Sequence, residues 1–136
     1  MGHRLLHTML RVSDPGSSLA FYCEGLGMKE YFRKDYEEGR FTLIYLGYDA
    51  PENGPTLELT HNWDQVETLI HGTAYGHIAV GVDDIYQVTD RLSQLGFEIA
   101  RKPGPMAGGP VIAFAADPDG YKVELIDERS YASFVG

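Results

Sequence analysis

The chain has 136 residues, enough for one compact domain or for two small modules sharing a core. Its formal charge of −9, from 11 Lys and Arg against 20 Asp and Glu, argues against nucleic acid or an anionic membrane as partner. The single cysteine, Cys23, excludes an intrachain disulfide and a cysteine-rich zinc site.

The 16 glycines and 7 prolines point to many turns and so to a sheet-rich fold. Apolar runs are strand-sized, so no helix is expected to span a membrane. The first residues lack the charged-then-apolar pattern of a signal peptide, and a cytoplasmic location is expected.

Residues 4–12 alternate as a half-buried strand, with Leu6, Leu10 and Val12 on one face and His7, Met9 and Arg11 on the other. Ser13 or Asp14 is placed to cap a helix running to about Glu24, with Leu19, Tyr22 and Leu26 on one side. The Gly25-Leu26-Gly27 segment ends it, because glycine takes the left-handed C-terminal position cheaply. Residues 28–34, 41–48 and 56–61 read as strands, the last entered through the turn at 50–55. Strand 75–82 then leads to a helix capped at Asp83 or Asp84, with Ile85, Val88, Leu92 and Leu95 on one apolar stripe. A glycine-rich loop at 104–110 precedes strands 111–116 and 121–127. Between these two strands Asp117-Pro118-Asp119-Gly120 fits a tight hairpin turn.

The chain repeats itself. His7, Val12 and Asp14 recur in step at His77, Val82 and Asp84. Leu26-Gly27 parallels Leu95-Gly96, and Leu57-Glu58-Leu59 parallels Val123-Glu124-Leu125. The expected fold is therefore α+β, one domain over 1–136 built from two βαβββ modules, 4–63 and 74–127.

Alternation also sorts the polar residues. His7 and His77 lie opposite the apolar faces of the first and fifth strands. Glu58 and Glu124 interrupt Leu and Val neighbours on the last strand of each module. A lone His or Glu on a strand is ordinarily a surface or core residue. Two carboxylates among Leu and Val, however, are costly unless neutralised. The repeat makes the two His–Glu pairs equivalent, so pairing the modules about a pseudo-twofold brings four ligands together. Two imidazoles and two carboxylates with open positions suit Ni, Co, Mn, Fe or Zn, not a calcium cage or a closed structural zinc site. His3, His61 and His71 have no match in the repeat.

Residues 5–12, Leu57-Glu58-Leu59-Thr60-His61-Asn62-Trp63, Tyr75-Gly76-His77-Ile78-Ala79 and 117–125 together resemble bacterial glyoxalase I, the lactoylglutathione lyases of the vicinal-oxygen-chelate superfamily. The resemblance runs from about residue 4 to 127. It implies a homodimer whose modules pair into sheets across the subunits, with each site at the interface receiving one His–Glu pair from each chain. It implies His7, Glu58, His77 and Glu124 as metal ligands, with one divalent ion per site. Nickel or cobalt is favoured by the short, insertion-poor form, with zinc or manganese as further options. Arg11 and Asn62 correspond to contacts with the γ-glutamyl end of glutathione, and Arg101 to the cation near its glycyl carboxylate. The strand pattern supports Arg11, which shares the His7 face roughly 13 Å along, and Asn62, which shares parity with Glu58 if the strand extends that far, but gives Arg101 no support. Trp63 reads as packing.

The implied activity isomerises the glutathione–methylglyoxal hemithioacetal to S-lactoylglutathione through a metal-bound enediolate, which detoxifies methylglyoxal. Glu124 is the expected base, with Glu58 serving the other face or remaining a ligand. The redox change is internal, so no nicotinamide is expected. The competing readings are another enzyme of the superfamily, an epimerase or dioxygenase, and a non-catalytic binding module. The second glutamate counts against a dioxygenase, and four intact ligand positions count against a binding module.

Overall fold

A computed structural model describes residues 2–136. Met1, the first residue of the expected domain, lies outside the described residues. The chain divides into two compact units, Met1–Ile70 and His71–Gly136.

The first unit opens with strand β1 (His7–Arg11), shorter than the 4–12 expected. Leu6 is 56% exposed, so the alternating pattern outruns the strand there. Asp14 caps the next helix, accepting from Gly16 N at 3.2 Å and from Ser17 Oγ at 2.7 Å. Pro15 fits the first helical position, where no amide donor is needed. Helix α1 (Pro15–Leu19) continues as a wider π-helical turn, Ala20–Gly25. The widening has a packing reason: the neighbours Phe21 and Tyr22 are both fully buried, ring to ring at 4.8 Å. Gly27, at φ +76°, closes the segment as expected.

Strands β2 (Lys29–Tyr36), β3 (Phe41–Gly47) and β4 (Thr56–Asn62) follow. They form a four-stranded sheet in the order β1-β4-β3-β2, with β1 parallel to β4. Leu10, Leu59 and Ile44 form one row across it, and all three are buried with Phe21 and Tyr22. Full burial of a side chain the size of Leu59 stabilises by about 2 kcal/mol, so this face fixes the register.

The second unit repeats the plan. Strands β5 (Ile78–Val82), β6 (Glu98–Pro105), β7 (Val111–Ala116) and β8 (Lys122–Asp127) take the order β5-β8-β7-β6, with β5 parallel to β8. Helix α2 (Ile85–Gln94) is capped by Asp84, which accepts from Gln87 N at 3.1 Å. Its inward stripe is Ile85, Thr89 and Leu92, whereas Leu95, expected on that stripe, is 40% exposed. Thr89 is tolerated inside because its hydroxyl donates to Ile85 O at 2.9 Å.

The Asp117-Pro118-Asp119-Gly120 turn forms between β7 and β8 as expected. The buried Asp117 Oδ1 accepts from Asp119 N and Tyr121 N, both at 2.9 Å, and Gly120 takes φ +84°. Helix α3 (Glu128–Val135) was not legible in the sequence. No described helix is long and apolar enough to cross a membrane.

Candidate metal and substrate site

The two units place their His–Glu pairs by one rule. In the first sheet Glu58 pairs with Met9, two residues beyond His7. In the second Glu124 pairs with Ala79, two residues beyond His77. Paired residues project to the same face and so do residues two apart, which brings each imidazole beside its carboxylate. His7 Nε2 lies 3.3 Å from Glu58 Oε1, and His77 Nε2 lies 3.1 Å from Glu124 Oε1. His77 itself sits just before β5, not within the expected strand 75–82.

The carboxylate side chains are only 10% and 14% exposed, while the two imidazoles are 36% and 43% exposed. Each pair is therefore anchored on the acid side and open on the imidazole side. Among the described residues no three His, Cys, Asp or Glu gather at one point, so each unit offers a pair.

The pairs fit a divalent ion. Donor atoms held about 2.1 Å from one ion at right angles to each other stand about 3.0 Å apart. Both separations are close to that spacing. Two nitrogens and two carboxylate oxygens also match the borderline first-row metals.

The surroundings of the two glutamates differ. Glu58 pairs across to Tyr45 on β3, and Tyr45 pairs with Phe32 on β2. The Tyr45 hydroxyl donates to Glu58 Oε2 at 2.6 Å. Its ring stacks on Phe32 at 4.9 Å and meets His7 edge-on at 5.5 Å. Burial, reinforced by the bond to Glu58, pushes the Tyr45 phenol up to about 12, so it stays a donor. In the second sheet the matching row is Glu124, Phe114 and Arg101. Phe114 repeats the edge contact with its histidine at 5.3 Å but brings no hydroxyl.

That row places Arg101, which the strand pattern did not support, on the same face as Glu124. Two interstrand spacings put it about 10 Å away. Arg11 ends β1 opposite Thr60, and Asn62 ends the parallel neighbour β4. Both thus stand at one end of the pair that carries His7 and Glu58. Trp63 packs as expected, donating from Nε1 to Thr42 Oγ1 at 2.8 Å under the Arg40 guanidinium.

Sequence reading missed Tyr45 and Phe114, since one aromatic residue in a strand looks like another until the register is known. It also left His71 unassigned. His71 stacks on Tyr121 at 4.2 Å beside a cleft of about 420 Å³ that His77, Phe114 and Lys122 also line.

Residues 4–125 match the family described as the Glyoxalase/Bleomycin resistance protein/Dioxygenase superfamily. The chain is 55% identical over 128 residues to a lactoylglutathione lyase of Neisseria meningitidis serogroup A, covering 93% of this chain and 92% of that one. It is 47% identical to a lactoylglutathione lyase of Haemophilus influenzae, covering 98% of each. Among solved structures it is similar to the glyoxalase I of Leishmania major, described as trypanothione-dependent. That match has a TM-score of 0.88 and 38% identity, covering 98% of this chain and 93% of that one.

Proposed function

The chain belongs to the Glyoxalase/Bleomycin resistance protein/Dioxygenase superfamily, among its lactoylglutathione lyases, and we propose that it isomerises the glutathione hemithioacetal of methylglyoxal to S-lactoylglutathione. The observation that carries the reading is the His–Glu pair built twice in one register, His7 with Glu58 and His77 with Glu124.

Those four side chains would hold one divalent ion, nickel or cobalt before zinc or manganese. When bound, the ion supplies a Lewis acid that stabilises negative charge on the two adjacent substrate oxygens. Because each unit offers only two ligands, a homodimer that gives each site one pair from each chain completes the set. Leu5, Leu6, Met9 and Phe32, exposed around His7, favour a covered face there.

The chain's own residues carry the proton. Glu124 takes it from C1 of the hemithioacetal, electrons shift into the enediolate, and the same proton returns at C2, while the C1 hydroxyl proton passes to the oxygen on C2. Atoms and electrons balance without a redox partner. A free glutamate, with a pKa of about 4.3, is a weak base for a C–H bond. Glu124 stands with its side chain only 14% exposed between the buried Val123 and Leu125, which keeps most water away from the proton it handles.

Arg11 and Asn62 hold the γ-glutamyl end of glutathione, and Arg101 holds its glycyl carboxylate. In a chain of charge −9 such placed cations are needed for an anionic tripeptide. Free glutathione as cosubstrate places the reaction in the cytoplasm, where thiols are kept reduced.

Mixing the purified protein with glutathione and methylglyoxal tests the reading. The thioester absorbance should rise at a rate proportional to enzyme and to added ion. No rise with any of nickel, cobalt, zinc or manganese would overturn it.

A further inference from the structure

The duplicated architecture contains an internal control. Glu58 and Glu124 share sheet position, partner histidine and neighbouring aromatic ring, yet only one of the two rings carries a hydroxyl. On Glu58, Oε1 faces His7 and Oε2 accepts from Tyr45 at 2.6 Å, so both oxygens are engaged. On Glu124, Oε1 faces His77 and Oε2 has no hydrogen-bond donor among the described residues.

Tyr45 is itself held in place. Phe32 lies flat against one face of its ring at an interplanar angle of 13°, while the His7 ring stands across it at 89°. At the position matching Phe32 the second sheet has Arg101. Aromatic packing therefore aims the one hydroxyl, and nothing comparable is built at Glu124.

We propose that Tyr45 is a positioning residue that pins Glu58 as a fixed ligand, leaving Glu124 as the carboxylate free to move the proton. The proposal rests on the functional reading above and adds to it a reason why two duplicated glutamates take different roles. A carboxylate with one oxygen on an ion and the other on a short O–H bond must break two contacts before it can approach a C–H bond. Glu124 must break one.

Three variants test this: Tyr45→Phe, Glu124→Gln, and the two combined. Phenylalanine keeps the ring and its packing, as Phe114 already does in the second sheet. The first readout needs no turnover. Protein loaded with nickel is mixed with excess chromophoric chelator, and the release rate is followed. Loss of an outer hydrogen bond to a ligand typically costs about 10–100-fold in ion affinity, so Tyr45→Phe should release nickel faster by that order.

The second readout is a gain that a merely structural role would not give. Glu124→Gln leaves Glu58 as the only carboxylate of the four-ligand set. Freeing Glu58 by adding Tyr45→Phe should raise residual turnover about tenfold, part of what a general base contributes. Unchanged nickel release in Tyr45→Phe, or no gain in the double variant, overturns the role of Tyr45. Failure of the wild type to form thioester overturns the functional reading instead, and the release experiment still judges the pinning of Glu58 separately.

Discussion

Glu58 and Glu124 occupy equivalent positions in two separately built sheets, each opposite an aromatic residue on the neighbouring antiparallel strand and each beside a histidine at 3.3 or 3.1 Å. Equivalence of position is not equivalence of role, and substitution separates the two. Glu124→Gln keeps the size of the side chain and one oxygen for an ion while removing the basic carboxylate. It should retain bound metal and lose about 10²–10⁴-fold in turnover, the usual contribution of a general base. Metal content by elemental analysis beside initial rates checks this. Near-normal rates would remove Glu124 from the proton-transfer role.

His77→Ala should behave differently. The imidazole is 43% exposed and packs only its edge on Phe114, so its loss leaves the core intact. The metal-free variant should fold with the thermal midpoint of the metal-free wild type yet bind less than one tenth of the wild-type metal at equal free ion. For the wild type, chelation should abolish activity, and added nickel or cobalt should restore it. Full metal occupancy in His77→Ala would show that the pair is not a ligand pair.

Arg101 offers a third test. Its row, Arg101, Phe114 and Glu124, puts the guanidinium on the side of the candidate base, about two strand spacings off. A charge-assisted bond to a substrate carboxylate contributes about 1.5–3 kcal/mol. Arg101→Ala should therefore raise KM for the hemithioacetal by about 10–100-fold with ion content unchanged, and Arg101→Lys should recover part of the loss. An unchanged KM in Arg101→Ala would assign the residue to the surface.

These tests show where the sequence was informative and where it stopped. Duplication was legible because His7 and His77 keep step with Asp14 and Asp84, and helix caps leave a short polar signature. The parity of Glu58 between Leu57 and Leu59 put it on the face opposite theirs, because side chains alternate along a strand, but β4 is buried on both faces there and Glu58 itself is only 8% exposed. What parity cannot supply is register. That Tyr45 meets Glu58, or that Arg101 shares a row with Glu124, depends on loop lengths and on strand bulges at 30–32 and 99–101. Leu6 and Leu95 mark the opposite error, apolar residues that continue a pattern past the point where packing ends. Helix α3 was missed because none of its residues is buried, so it carries little core periodicity to read.

Tyr48 gives a prediction that depends on the fold and not on the site. Half of the residue stays exposed, yet its hydroxyl donates at 2.7 Å to the carbonyl of the buried Leu26, which closes the first helical segment. Burial, with a smaller contribution from Cys23, pushes the phenol up to about 12 from an ordinary value near 10. The neutral form is thus favoured by the folded state. Below about pH 10 that stabilisation is complete. Between about 10 and 12 the unfolded chain loses the proton first, binds fewer protons than the native state, and stability falls as pH rises. Urea midpoints measured across this window should decline in the wild type and decline less steeply in Tyr48→Phe. Tyr45, also pushed up to about 12, leaves part of the slope in place. At neutral pH the same variant should lose about 0.5–1.5 kcal/mol, the net worth of one neutral hydrogen bond. An alkaline slope identical in the two proteins would mean that the Tyr48 hydroxyl is free in solution.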